Sequence, residues 1–388
     1  MLFASGKAYI IMRTLVLFTN SDLTLKAGNT SLIVRRAEAM YQEKDIYTKC
    51  FILGNTKYPI DTLRYEGISF SKMLVKDVDS IISENKPDFI LYYGFKILKI
   101  YQKVKKTLNK YGYKAEISYD MQACNEEKIE YNCNSIKQYI KYWLQKGFFH
   151  YIINSVDSCF VVSEELKDYC QTYIRKNKNV KFYKVRCGIN KYKQPNQLLR
   201  DREKYRKDLG VDDKTIVFVY SGFRSAWQMV DTIIQQFKDY DNIIENSFFC
   251  FFCNIDSAFE DLLKKSFPRG NYYCTFLNQN DYFGYLSACD IGFLYREKNM
   301  TNKVAFPNKF SDYLAAGLIV GINDALEEPN RILKEYDISY LDTSISPNMG
   351  IDKLVEQRQN DILQYYKVID EVLDNEIVFS GQIRKLNI

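Results

Sequence analysis

The residues best suited to chemistry lie in one stretch, 303–324, KVAFPNKFSDYLAAGLIVGIND. Pro307 suits the first turn of a helix, where its missing N–H costs nothing. Phe310, Tyr313, Leu314 and Ala315 give that helix a packed side, and Gly317 is placed to end it. Leu318-Ile319-Val320 then reads as a short buried strand. Asn308, Lys309 and Asp312 therefore stand near a helix start that follows an irregular loop. Such a start offers unpaired N–H groups and the positive end of the helix dipole, which suits an anion. Lys309 adds charge for a phosphate, and Asp312, one turn on, can accept hydrogen bonds from sugar hydroxyls. A capped helix with solvated charges is the other reading of the same spacing.

Other chemistries find less support. The one histidine, His150, lies in a Phe-rich helical stretch, so Ser-His and Cys-His nucleophile systems are not expected. Ten scattered, mostly apolar-flanked cysteines argue for a reducing, cytoplasmic setting, and with one histidine they argue against a Cys/His zinc site. No acidic D-x-D-type site stands out for a divalent cation. Neither a metal nor a cofactor is expected. The net charge of +6 is modest for 388 residues and does not call for nucleic acid, although a local basic face could meet a membrane or a phosphorylated ligand. No apolar run reaches bilayer length, and the opening MLFASGKAYII is too short and poorly charged for a secretion signal. The folded chain is expected to begin near Met12.

The elements that must position these residues read as two α/β halves. Short apolar runs at 14–19, 48–53, 88–92, 115–119, 158–162 and 180–185 alternate with helical patterns, which implies crossover units and a parallel sheet. Lys191–Arg202 is polar, poor in pattern and carries Pro195, so it is taken as a linker. The alternation then restarts, with strands at 215–220, 248–253, 274–277, 291–295 and 338–341, a helix at 225–237 and a long helix at 352–373. The expected fold is two doubly wound parallel-sheet domains facing across a cleft, with ligands at the carboxyl ends of strands. The expected boundaries are 12–190, a linker at 191–202, 203–365, and a tail at 366–388 that packs back on the first domain.

The second half carries TIVFVYSGFRSAWQ and YLSACDIGFLYREKNMTNKVAFPNKFSDYLAAGLIVGIND, and the first carries YDMQACNEEKIEY, SCFVVSEELKDYC and VRCGIN. In this order the segments resemble retaining GT-B glycosyltransferases of the family 4 type, from Met12 onward. The resemblance implies a sugar-nucleotide donor in the second domain and an acceptor, a glycan or lipid-linked glycan, against the first. It also implies metal-independent transfer with retention, in surface polysaccharide synthesis. The family's pair of glutamates falls on Val304 and Asp312, so the first carboxylate is missing and the second, the ribose contact, is one methylene shorter. Its diphosphate loop falls on Gly222, with Phe223 and Gln228 where the family has Arg and Lys. Arg224, Lys303 and Lys309 are the cations left to meet the leaving diphosphate.

On the acceptor side the family's histidine falls on Gln122, which can bind a sugar hydroxyl but cannot act as a base. Glu126 or Glu127 falls where a carboxylate could orient or deprotonate the acceptor; a charge pair complementing a helix dipole explains them too. Gly28 and Asn29 mark the first strand-to-helix loop, as acceptor border or as a plain turn. Ser163 reads as a helix N-cap. Lys96, Lys99, Lys103, Lys105, Lys106 and Lys110 crowd one helix, and Lys137, Lys141 and Lys146 alternate with Tyr139, Tyr142, Trp143, Phe148 and Phe149 on another. That mixture suits anionic lipid, or a solvated face beside a core stripe. Two rivals to transfer remain: a non-catalytic GT-B subunit that binds a partner or glycan, and a sugar-nucleotide epimerase, which the scarcity of histidine disfavours.

Overall fold

The computed structural model describes residues 12–21, 23, 28–43, 45–54, 62–65, 68–131, 135–190, 195–344 and 350–384. The first domain runs β1 (Arg13–Thr19), α1 (Gly28–Tyr41), β2 (Ile46–Leu53), β3 (Thr62–Tyr65), β4 (Ile68–Met73), α2 (Val78–Asn85), β5 (Phe89–Tyr93) and α3 (Tyr101–Tyr111). It continues with β6 (Glu116–Met121), α4 (Glu127–Glu130), α5 (Ile136–Ile153), β7 (Ser158–Val161), α6 (Glu164–Gln171) and β8 (Lys181–Lys184). Its strands are ordered β3-β4-β2-β1-β5-β6-β7-β8, all parallel except the β3–β4 edge hairpin.

The second domain runs α7 (Pro195–Leu209), β9 (Ile216–Ser221), α8 (Val230–Asp241), β10 (Ser247–Phe252), α9 (Ser257–Ser266), β11 (Tyr272–Thr275), α10 (Gln279–Ser287) and β12 (Ile291–Leu294). Then come α11 (Met300–Lys303), α12 (Asn308–Ala315), β13 (Ile319–Ile322), α13 (Glu327–Glu335), β14 (Tyr340–Asp342), α14 (Ile351–Val368) and α15 (Asn375–Arg384). Its sheet is fully parallel, ordered β11-β10-β9-β12-β13-β14. Both sheets are doubly wound, so each has a switch point where crossovers change direction: β1/β5 in the first and β9/β12 in the second.

Side-chain alternation along the central strands explains the layers. On β1, Leu15 and Leu17 join α1 and α15, whereas Val16 and Phe18 join α2 and α3. On β9, Phe218 and Tyr220 pack with α8, and Val217 and Val219 face the other side. Each such buried Leu, Val or Phe contributes roughly 1.5–3 kcal/mol by leaving water. The chain crosses back to the first domain at its end. Ile189 N–H donates to the Leu373 carbonyl (2.8 Å), Phe379 packs on Phe160, and Ser380 Oγ donates to the Ala39 carbonyl (3.2 Å).

Several local readings are corrected. Gly28 and Asn29 are the first turn of α1, not a turn before it; Gly and Asn are both well tolerated at helix starts. The Asn29 side chain lies outside the described ones. Within the expected linker, residues 191–194 are outside the described residues, and α7 begins at Pro195. Its polar surface hid a helix that is anchored through Arg202 (2.6 Å) and Arg206 (3.3 Å) to the buried Asp290, which also takes Arg358 of α14 (2.8 Å). The helix expected at 225–237 starts only at Val230. Met229 is left-handed (φ 51°), and Ala226–Gln228 is a 3-10 turn that carries Trp227 and Gln228. No helix among the described residues is long and apolar enough to cross a membrane.

Candidate functional site

The site is built from three backbone segments at the carboxyl end of the second sheet. Gly222 follows β9, Arg296 follows β12 by two residues, and Lys309 lies in the first turn of α12. β9 and β12 are the switch-point neighbours, so these groups stand where this topology leaves an open crevice. Pro307 is the N-cap of α12 in extended conformation with no side-chain cap, and the helix begins at Asn308, next to Lys309 in the chain.

Lys309 is 8 % exposed. Its Nζ donates to Gln228 Oε1 (2.8 Å) and lies 4.0 Å from the centroid of the Tyr220 ring. Gly222 makes room for it: at φ +112°, an added Cβ would stand 2.7 Å from Lys309 Cε. The Gly222 N–H itself is spent on the Phe252 carbonyl (2.8 Å). Arg296 is 3 % exposed, and its Nη1 donates to the Tyr295 carbonyl (2.8 Å). Among the described residues neither cation is in an ion pair with a carboxylate. Burial lowers both from their ordinary values, and Arg296 lowers Lys309 further. Keeping two desolvated groups charged within electrostatic reach of each other is unfavourable without a compensating negative charge. Asp312 and Cys253 act against that lowering at Lys309, and an anion arriving there would act in the same sense.

Asp312 lies one turn beyond Lys309, and its side chain is 8 % exposed. Its Oδ1 accepts from Arg35 Nη2 of the first domain (2.9 Å), and its Oδ2 from the Tyr282 hydroxyl (3.4 Å). Arg35 also donates to the Gly188 carbonyl (3.0 Å), and Ser311 Oγ donates to the Cys187 carbonyl (2.6 Å). α12 is thus fastened to the first domain, with its carboxylate held at the seam. Asn308 is half-buried at the first position of α12. A cavity of about 500 Å³ opens at the ends of β13 and β14, lined by Asn323, Asp324, Glu327 and Arg331 among others. Asn323 also brackets Arg296, accepting from its N–H (3.2 Å) and donating to its carbonyl (2.7 Å).

Other expected donor groups stand apart. Arg224 turns away from the Gly222 loop to ion-pair with Asp256 and lie over Phe259 (4.3 Å). Lys303 is exposed on the rim, 3.8 Å from Glu327. Val304 is buried and apolar, with its carbonyl accepting from Ser163 Oγ (2.7 Å); Ser163 also caps α6 through Leu166 N–H (3.0 Å).

On the acceptor side Gln122 is fixed between Asp120 and Cys187, its Nε2 donating to Asp120 and its Oε1 accepting from Cys187 Sγ (3.6 Å). Glu126 turns toward α5, accepting from the Tyr142 hydroxyl (3.0 Å) with Lys146 3.8 Å away. Glu130 faces the second domain, accepting from the Met300 and Thr301 N–H groups (both 3.0 Å) at the start of α11. Glu127 shares that helix face at i,i−3. Burial raises its pKa from the ordinary value, with Lys128 opposing and Glu130 adding to the rise. Of the two glutamates, Glu126 is the one held against α5.

Sequence reading missed Arg296, whose one signal is its place just past an apolar strand at the switch point. It also passed over the C-x-x-C spacing of Cys250 and Cys253. Both are buried and point to opposite faces of the sheet, so they form no paired thiol ligand set.

No protein-family model matches the chain, and no curated protein matches it. Solved structures do. A sucrose-phosphate synthase (tll1590) from Thermosynechococcus elongatus superposes with TM-score 0.67 at 10 % identity, covering 96 % of this chain and 99 % of that one. Anabaena Alr3699/HepE in complex with UDP-glucose gives 0.64 at 12 % identity, covering 96 % and 99 %. WaaG, a glycosyltransferase involved in lipopolysaccharide biosynthesis, gives 0.62 at 13 %, covering 97 % and 100 %. The chain therefore has the GT-B fold, two parallel-sheet domains meeting across a cleft.

Proposed function

We propose that this protein is a glycosyltransferase that moves a sugar from a nucleotide-sugar donor to a glycan or lipid-linked glycan. The observation that carries the reading is the buried pair Arg296 and Lys309, without carboxylate partners among the described residues, at the switch point of the second sheet. Two fixed cations and a helix N-terminus there would bind the donor diphosphate and stabilise the charge that grows on it as it leaves. That would make a metal ion unnecessary. UDP-glucose in the HepE complex and UDP-2-fluoro glucose in an E. coli trehalose-6-phosphate structure support the donor class.

Retention fits a front-face substitution. The bond from the anomeric carbon to the diphosphate oxygen breaks, the acceptor oxygen bonds to that carbon on the same face, and its proton passes to the leaving phosphate. Glu127 would orient or partly deprotonate the acceptor hydroxyl, and Gln122 would hydrogen-bond the acceptor. Asp312 would reach the ribose once Arg35 lets go. The setting would be the cytoplasmic face of a membrane, in surface polysaccharide synthesis. Incubation with a panel of sugar nucleotides, with released nucleotide as the readout, tests the reading: turnover with at least one donor and acceptor supports it.

Val304 and the occupied Asp312 favour a second reading, a GT-B subunit that binds a nucleotide or glycan without turnover. Tight nucleotide binding with no release of nucleotide across acceptors would select it. Conversion of the sugar with the nucleotide retained would select an epimerase instead.

A further inference from the structure

We infer that one face of α5 docks on an anionic lipid bilayer. Ile136 (81 % exposed), Ile140 (54 %), Trp143 (56 %) and Leu144 (69 %), with Tyr139 and Tyr151 beside them, all lie open to solvent. At 100° per residue these positions form one stripe, with Gly147 within it. The side of the helix that holds Tyr142, Phe149 and Ile153 is buried on the domain. A core helix needs one apolar side; this one has two, so the outer stripe is not explained by folding.

Charge complementarity selects the partner. Lys137 and Lys141 are exposed on one flank of the stripe and Lys146 lies on the other, while α5 contains no Asp or Glu. Lys146 is partly taken by Glu126 (3.8 Å) and by the Tyr142 hydroxyl (3.2 Å). The adjoining α3 packs against the end of α5 through Tyr101, whose ring meets Tyr151 and whose hydroxyl donates to the Ser155 carbonyl (2.5 Å). α3 also lacks acidic residues and exposes Lys105, Lys106 and Lys110. An apolar stripe bearing Trp and Tyr and edged by lysines matches the boundary between headgroups and acyl chains.

α5 also carries α4, and α4 meets α11 of the second domain through Glu130. A bilayer on this face would therefore lie beside the acceptor side of the cleft and would present acceptors carried on lipid. In that respect the inference deepens the proposed function and rests on it. Its test reads membrane binding rather than turnover, so it can fail while the donor reading stands.

The test is co-sedimentation at low salt with vesicles of phosphatidylcholine alone and of phosphatidylcholine mixed with phosphatidylglycerol. The wild-type protein should pellet with the mixed vesicles and far less with the neutral ones. Ile140→Ser with Leu144→Ser should lower the partition coefficient about tenfold or more while the melting temperature is kept. Lys137→Gln with Lys141→Gln should abolish most of the preference for anionic lipid. A Trp227→Phe variant leaves Trp143 as the single tryptophan, and its emission should move to shorter wavelength when mixed vesicles are added. Absence of binding, binding indifferent to the Ile140/Leu144 change, or no shift of Trp143 emission would overturn the inference. So would a dimer in solution that those two substitutions dissociate, because the stripe would then cover a second copy.

Discussion

Arg35 of α1 and Asp312 of α12 form an ion pair of 2.9 Å that joins the two domains one helical turn from Lys309. On the proposed function, donor binding would exchange one partner of Asp312 for another, a ribose hydroxyl in place of a guanidinium. Asp312→Ala should weaken nucleoside diphosphate binding about tenfold or more, since hydrogen bonds to charged groups contribute about 1.5–3 kcal/mol. Pyrophosphate, which has no ribose, should bind nearly as before. Calorimetric titration of both ligands checks this; equal losses would remove Asp312 from the ribose position.

The burial of Lys309 gives a pH dependence with a definite sign. Desolvation first, and then Arg296, lower its pKa in the free protein, and the protonated form is the one that binds phosphate. Below that depressed pKa the lysine is already charged and affinity is highest. As pH rises through it, binding must bring a proton with it, and affinity falls by up to about tenfold per pH unit. Lys309→Arg should flatten the profile, because guanidinium stays charged. Titrations in buffers of different ionisation heat should show proton uptake with the wild type and little with Lys309→Arg.

Gly222→Ala tests the shape of the site. The φ of +112° disfavours any side chain, and the new methyl would stand 2.7 Å from Lys309 Cε. Strain of about 1–3 kcal/mol should lower the melting temperature, and a displaced Lys309 should lower diphosphate affinity. A variant that binds diphosphate as well as the wild type would show that the position of Lys309 is not what the site requires.

Glu328 sits fully buried at the domain seam, bonded to Arg186 (2.6 Å), Lys184 (3.2 Å) and Arg331, which in turn pairs with Glu165. Glu328→Gln keeps the shape and removes the charge that balances these cations. Breaking such a buried set costs about 3–5 kcal/mol, so the melting temperature should fall sharply while isolated phosphate contacts remain. An unchanged melting temperature would mean that the seam is held by its apolar contacts.

Strand-and-helix alternation was legible because β1, β5, β9 and β12 are short apolar runs buried on both faces. The α12 segment was legible because Pro307 and Gly317 bracket it and its apolar residues repeat at helical spacing. α7 was not, because its buried contacts are made largely by arginines reaching Asp290, which a hydrophobic pattern does not register. Nor was the break at Met229, where Gln228 is held by Lys309 and Trp227 meets Tyr131 across the cleft, a tertiary demand that overrides local helix preference. Arg224 shows the limit of motif spacing. It sits beside Gly222 in the chain, yet its charge is spent on Asp256, while Arg296, far off in sequence, is buried near Lys309.

The most direct test is a crystal structure of the protein with a bound nucleoside diphosphate. The diphosphate should lie within hydrogen-bond distance of both Arg296 and Lys309 Nζ, with Asp312 released from Arg35 and turned to the ribose. A diphosphate bound elsewhere, with Arg296 and Lys309 left as they are, would contradict it.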